Sequence, residues 1–433
     1  MLGCLVLCLS CGDASALAGT LRSQERGVLT ISLDPSGAGQ KWEHIDFQPW
    51  SPLANDVRIV VASEGGVRDA QLGGIRQWRG VLDDGHALLS VDDSSVRGFT
   101  LRQGVIRPLV SDGNHLREMQ PIASHEARQP CSGLAAPEAP AQAGRANRSS
   151  HSPCGSLRVA FDSDWEFTSN LFDGDADEAA AYVVELAGAV SLIQEVELGV
   201  PLEVSYVRTW SDASDPYDPG ESTDDLLDQF RMEWESNEPE SQRHVAHLLS
   251  GSSLPASAGL AWRGSACSAW GYAYSSSMDG FFLDPPSNPS GSTWDVLIVA
   301  HETGHTIGAR HTHEMVPPVD GCGSGDCSSP SGGTIMSYCH TCPPNYMSNS
   351  VLEFHPRVET DIISFLSQVN PAVCDLGSPP STDVDGSGSV DAVDLGRVVQ
   401  QFGLCSGCGC DEDVDGSGGV DVLDLLRVLQ DWG

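Results

Sequence analysis

The run His301-Glu302-Thr303-Gly304-His305-Thr306-Ile307-Gly308-Ala309-Arg310-His311 limits what this chain can fold into more than any other feature of it. Two histidines four apart on a helix lie one turn above each other, so both imidazoles can reach one metal ion. Glu302 is about 100° around the helix from His301, beside the site without being forced into the ligand set. Gly308 can take a backbone conformation closed to other residues, which ends the helix and turns the chain back. That turn lets His311 supply a third nitrogen. Three protein ligands with a fourth zinc position left for water is the catalytic arrangement, not the structural one.

The flanks agree with a buried helix. Val296, Leu297, Val299, Ala300 and Ile307 give it an apolar face, and Ser292-Thr293-Trp294-Asp295 has the spelling of a capping box. His313 and His340 are rival nitrogen ligands, although His311 has the better spacing.

The extended histidine motif, followed downstream by Thr334-Ile335-Met336-Ser337-Tyr338, resembles the metzincin clan of zinc endopeptidases. The resemblance implies a turn at Met336 beneath the ligands. Tyr338, two residues on, matches the tyrosine of astacins and serralysins that reaches the metal or the oxyanion. Within the clan, Leu157–His311 is similar to the reprolysin (adamalysin) group: an opening strand, a long helix, a strand, then the site helix. The Asp that often follows the third histidine in that group is absent, with Thr312 and His313 in its place. The implied fold class is an α/β (α+β) metzincin-like catalytic domain with a twisted sheet and an active-site helix. The implied activity is hydrolysis of protein or peptide substrates with Zn2+, Glu302 acting as general base.

Length allows several domains, and the expected boundaries are 1–18 signal peptide, 19–133 β-rich pro-domain, 134–153 linker, 154–376 catalytic domain and 377–433 a small helical module. Short alternating stretches at Val28–Leu33, Val57–Val61 and Ala87–Val91 give the β-rich reading. Trp78–Val81, Ala87–Val91 and Val96–Phe99 are similar to a reprolysin propeptide; an accessory β-domain is the alternative. Cys131, in Gln129-Pro130-Cys131-Ser132-Gly133, is a candidate latency thiol that could occupy the open zinc position. A disulfide to Cys154 competes with it. The Ala-, Pro-, Ser- and Arg-rich stretch after it reads as a linker and maturation site.

In the catalytic region the pattern predicts a strand at Leu157–Phe161, a helix over Ala176–Val196, a strand over Leu202–Val207 and a helix over Thr223–Glu235. His244–Leu249 reads as an edge strand bordering the cleft. Cys267, Cys322, Cys327, Cys339, Cys342 and Cys374 allow three bridges in 15 pairings. A second zinc site from Cys322, Cys327, Cys339 and Cys342 is the rival.

The tail repeats itself at a period of thirty residues. Asp383, Asp385, Ser387, Asp391 and Asp394 recur as Asp413, Asp415, Ser417, Asp421 and Asp424, each set leading into an apolar helix (Leu395–Phe402, Leu425–Trp432). Oxygen ligands at loop positions 1, 3, 5, 9 and 12 with Gly at 6 follow EF-hand logic, so Ca2+ is the expected cation. The duplication with Asp at position 12 resembles a dockerin-type module, which implies a cohesin-like partner.

A net charge of −37 and a single lysine, Lys41, exclude nucleic acid as a partner. An apolar start (Leu2–Leu9) with A-x-A sites near Ala18, and eleven further cysteines, point to secretion into an oxidising compartment, with cell-surface attachment through the tail. No other run has the length expected of a transmembrane segment. The competing reading is a calcium-dependent anchoring protein with a secondary or silent zinc site.

Overall fold

In the computed structural model the N-terminal strands divide between two sheets. It describes residues 29–35, 42–92, 96–112, 115–119, 130, 132–135, 155–218, 220–238, 242–253, 257–282 and 293–366. In the tail it describes 368–369, 382, 384, 390–404, 412, 414, 419–420, 422–430 and 432. The expected signal peptide, Cys131 and the linker from 136 onward lie outside them, as do Asp383, Asp385, Ser387, Asp413, Asp415, Ser417 and Asp421.

Strands β1 (Leu29–Asp34), β2 (Glu43–Trp50), β5 (Arg76–Leu82), β6 (Gly85–Val91), β7 (Val96–Arg102), β8 (Val105–Asp112) and β9 (His115–Glu118) close a barrel. Alternation gives each strand two faces. Ala87, Leu89 and Val91 join Ile31, Phe47 and Trp78 in the barrel core. Leu88, Phe99, Leu101 and Ile106 belong instead to the main core of the molecule.

The strands between, β3 (Leu53–Ser63) and β4 (Gly66–Asp69), leave the barrel. They join a second sheet with β10 (Ser132–Ala135), β11 (Leu157–Ser163), β12 (Leu202–Trp210), β13 (Val245–Leu249), β14 (Gly259–Arg263) and β15 (Tyr272–Ser275). Its order is β10-β14-β15-β13-β11-β12-β3-β4. The 19–133 stretch is therefore not one separate β unit: it supplies strands at both ends of the sheet that carries the histidine helix. β13 differs from expectation too. It lies between β11 and β15, inside the sheet, because its side chains are buried on both faces.

Helices α1 (Trp165–Leu171), α2 (Ala176–Leu198), α3 (Thr223–Asn237) and α4 (Trp294–Thr306) pack on this sheet. Val159 and Phe161 of β11 face α2 and α4, whereas Ala160 faces α3 with Phe230 and Trp234. Asp175 starts α2 by accepting from the amides of Asp177 and Glu178, and Gly199 ends it in the left-handed conformation. Among the described residues, α2 is the one helix long and apolar enough to cross a membrane, but 83% of that window is buried. It is a core helix, covered by the sheet on one side and by the barrel on another.

α5 (Pro356–Leu366) closes the catalytic region. The tail helices, α6 (Ala392–Gln400) and α7 (Val422–Gln430), begin earlier than the apolar pattern predicts. For α6 the reason is a cap: Asp391 accepts from the Val393 amide at 2.8 Å, and Asp394 accepts from the Asp391 amide at 2.7 Å. Strands β16 (Gly403–Leu404) and β17 (Gly419–Val420) pair between the repeats. Val384, Val398, Val414, Val420 and Val428 form their shared core.

Candidate metal centre

Every residue of α4 is buried. The expected capping box does not form: Thr293 is the N-cap without a side-chain bond, and Ser292 lies outside the described residues. Asp295 turns inward instead. Its carboxylate accepts from Tyr182 Oη at 2.5 Å and from the amides of Asp279 (2.8 Å) and Gly280 (2.9 Å). Burial pushes its pKa up to about 7, with the neighbouring Asp279 charge adding to the rise.

The helix ends where its sequence requires. Gly308 has φ +103, and the chain turns so that His311 returns to the helix face. His301 Nδ1 lies 2.7 Å from Ile335 O, and His305 Nδ1 lies 2.9 Å from Ala309 O. His311 Nδ1 lies 3.3 Å from Glu314 Oε1. In His301 and His305 a ring nitrogen that meets a carbonyl oxygen carries the proton, which leaves the Nε2 lone pair for a metal.

Those Nε2 atoms converge. His305 Nε2 and His311 Nε2 are 3.0 Å apart, and the ligand atoms of all three histidines lie within 4.8 Å of one another. His301 Nε2 is buried without a hydrogen-bond partner. Two nitrogens on one tetrahedral zinc, each ~2.0–2.1 Å from the ion, are separated by roughly 3.3 Å. The donor set therefore fits a zinc ion: neutral imidazole nitrogens, closely spaced, one orphaned in the interior. Burial lowers the pKa of His305 to about 3 and that of His301 well below its usual range, with charge on the neighbouring imidazoles adding to both shifts. Both rings are thus kept in the neutral form that binds metal.

Glu302 is fully buried beside the triad. A Cβ at Gly259 would overlap the Glu302 carboxylate, so β14 approaches closely only because that residue has no side chain. Met336 is buried, and its carbonyl accepts from the Thr312 amide at 3.1 Å. The expected turn is therefore tied to the chain just past His311. Tyr338 Oη is 3.0 Å from His311 Nε2, and its ring lies 4.7 Å from the His311 ring.

The rival ligands fall elsewhere. His313 stacks on His311 at 5.1 Å and groups with His311 and Glu314. His340 packs on Trp294 at 5.6 Å. His247 is a buried core residue whose Nε2 meets Ser275 Oγ at 2.8 Å, and burial lowers its pKa to about 3.

Disulfides Cys322–Cys339 and Cys327–Cys342 replace the rival four-cysteine zinc site. They tie the loop after His311 to the segment after Met336. Cys267 is also disulfide-bonded, and Cys374 lies outside the described residues.

Sequence reasoning missed two residues. Glu314 holds His311, and its own pKa falls to about 2, first through its hydrogen bond to that ring. The available signal was a carboxylate three residues after a ligand. Gly259 had no local signal, because its role appears only when β14 meets α4. One further feature adjoins the site: β10 runs parallel to β14, Ser132 opposite Leu260, and Pro130 O accepts from the Ala258 amide at 3.1 Å.

Residues 156–350 match Reprolysin_5, a model of metallo-peptidase family M12. This match includes the three histidines, Glu302, Met336 and Tyr338, and it supports a metallopeptidase. It spans a little under half of the chain. A crystal structure of metalloproteinase-II from Bacteroides fragilis is similar at 13% identity, covering 82% of this chain and 96% of that one, with a TM-score of 0.43. No curated protein matches the chain.

Proposed function

We propose that the chain is a zinc-dependent endopeptidase made in a latent form and exported. The observation that carries this is the convergence of three Nε2 atoms, one of them orphaned, beside the buried carboxylate of Glu302. His301, His305 and His311 would hold the ion. When bound, zinc supplies Lewis acidity and makes water a nucleophile near neutral pH.

The remaining work belongs to this chain's residues. Glu302 accepts the proton that water loses and delivers it to the leaving amide nitrogen, a general base turned general acid. Tyr338 Oη, beside His311 Nε2, donates to the oxygen that becomes negative as the carbonyl is attacked. Once β10 is displaced, the freed edge of β14 would pair with an extended peptide backbone.

The test is Glu302→Gln with metal analysis and a casein-type assay. The variant is expected to retain zinc and to lose about 10²–10⁴-fold in activity, the usual size of a general acid–base contribution. Retained cleavage would remove Glu302 from the mechanism. A zinc chelator that leaves cleavage intact would remove the whole reading.

The β10–β14 pairing supports the latent form, because it occupies the β14 edge that a substrate would use. In our reading Cys131, between Pro130 and Ser132, supplies a thiolate to the metal and yields it on maturation; a disulfide to Cys154 is the competing assignment. Cys131→Ser is expected to give partial activity without processing, because β10 still pairs with β14. Export is supported by the disulfides.

The tail is assigned to calcium on its repeat, with Asp391 and Asp394 at loop positions 9 and 12 already caging the start of α6. One observation favours an anchoring role beside the enzymatic one. Val393, Val399 and Phe402 near α6, and Leu426, Leu429 and Trp432 near α7, expose large apolar side chains. A cohesin-like partner would cover them, and calcium-dependent capture of such a partner by the full chain tests it.

A further inference from the structure

We infer that the N-terminal barrel, with its inserted strand β3, is a permanent part of the folded protein. Cutting the chain between residues 136 and 154 then leaves a two-fragment complex and does not release the N-terminal piece. The inference concerns architecture and holds whether or not the chain is a peptidase.

The first ground is the sheet. β3 pairs with β12 in parallel, Leu53 opposite Val204 and Arg58 through Ala62 opposite Tyr206 through Trp210. The pairing extends past both ends: the Val204 amide donates to Pro52 O at 2.7 Å, and the Ser211 amide to Ala62 O at 2.9 Å. β4 then covers the outer side of β3. Withdrawing the N-terminal region would strip β12 of its neighbour and expose a row of unpaired N–H and C=O groups.

The second ground is α2. An apolar helix buried along most of its length needs cover on more than one side. Leu88, Phe99, Leu101 and Ile106 on the outside of the barrel share one core with Val183, Leu186, Val190 and other residues of α2. Polar contacts frame that apolar contact. Arg97 Nη2 meets Glu185 Oε1 at 2.7 Å, Arg79 Nη1 meets Glu195 Oε2 at 2.5 Å, and Arg68 grips Asp177 with two bonds of 2.8 and 2.7 Å. Glu185 is itself buried, so removing Arg97 would leave its carboxylate in the interior without that cation.

The third ground is reach. The turn between β7 and β8 accepts the Leu352 amide on Gly104 O at 2.7 Å. The next residue, Glu353, accepts the Ile335 amide at 2.9 Å, and Ile335 O holds His301 Nδ1. The barrel thus abuts the segment that orients a metal ligand. By contrast β10, nearest the cut, has β14 as its one paired strand among the described residues. Cleavage can free β10 from β14 while the barrel stays.

The experiment uses the full chain carrying Glu302→Gln, so that it does not cut itself. A site-specific protease sequence is placed in the 136–154 stretch, at either of two positions so that one poorly tolerated insertion does not decide the outcome. After complete cutting, both fragments are expected to elute together at the mass of the uncut chain. Hydrogen exchange of the β12 amides, Leu202–Trp210, is expected to stay within about threefold of the uncut protein. Separation of the fragments under native conditions overturns the inference, whether the remainder stays folded or aggregates. Co-elution with β12 amides exchanging freely overturns it equally, because the strand pairing would then be lost.

Discussion

The two ends of the catalytic sheet are held together in opposite ways. At the β14 end, α4 and the turn at Met336 gather polar atoms into the interior: three imidazoles, a carboxylate and a tyrosine hydroxyl. At the β3 end, the barrel and α2 gather apolar ones, with ion pairs at the margin. In the first arrangement a buried polar atom without a hydrogen-bond partner is costly, as His301 Nε2 is, and a bound cation would offset that cost. The second gains from exclusion of water and needs no ligand. Folding is thus secured at one end and function at the other.

That contrast can be broken at either end. The largest stability effect should come from the apolar end. Phe99→Ala, at a fully buried position 6.3 Å from the Phe282 ring, is expected to lose about 3–5 kcal/mol in urea titration. Zinc affinity, measured below the unfolding transition, should stay within a fewfold. A large loss of affinity would show that the two ends are not separable.

Glu314→Gln is expected to do the reverse. It removes the carboxylate charge that faces His311 Nδ1, so zinc affinity should fall about 10–100-fold in competition with a chelator. The melting of the metal-free protein should barely move. An unchanged affinity would mean that His311 is oriented by its packing alone.

The smallest effect tests the margin. Burial raises the Glu185 pKa to about 7, outweighing the attraction of Arg97. The folded chain therefore holds this proton more tightly than the unfolded chain, whose value is 4.5. Its contribution is most favourable below that unfolded value and is lost as pH rises through about 7. Glu185→Gln imitates the protonated form, and Arg97 is exposed enough to be solvated. The difference in stability between pH 5.5 and pH 8 should shrink by ~2 kcal/mol in the variant. A steeper dependence would mean that the ion pair, not the burial, dominates.

How much of this could be read in advance varied with the range of the interactions. The triad, the Gly308 turn and the extents of α2 and α3 follow from spacing within one helix or one turn, and the structure has them where they were expected. What the sequence hid was partnership over distance. Val57-Arg58-Ile59-Val60-Val61 reads as a strand, but nothing in it says that its neighbour begins at Leu202 and not inside the barrel. β13 read as an edge strand, yet it lies inside the sheet and His247 is solvent-free with hydroxyl partners on either side. The pairing of Cys322 with Cys339 and Cys327 with Cys342 is likewise fixed only once the loops are in place. Local capping erred in one instance, since Asp295 serves Tyr182 and the Asp279–Gly280 amides and does not cap its own helix.

One bare backbone position has a practical corollary. Because Gly259 leaves only a hydrogen facing the Glu302 carboxylate, even alanine there must shove aside either β14 or the Glu302 side chain. Anyone diversifying β14 would have to hold this one site fixed, however tolerant the rest of the strand turned out to be.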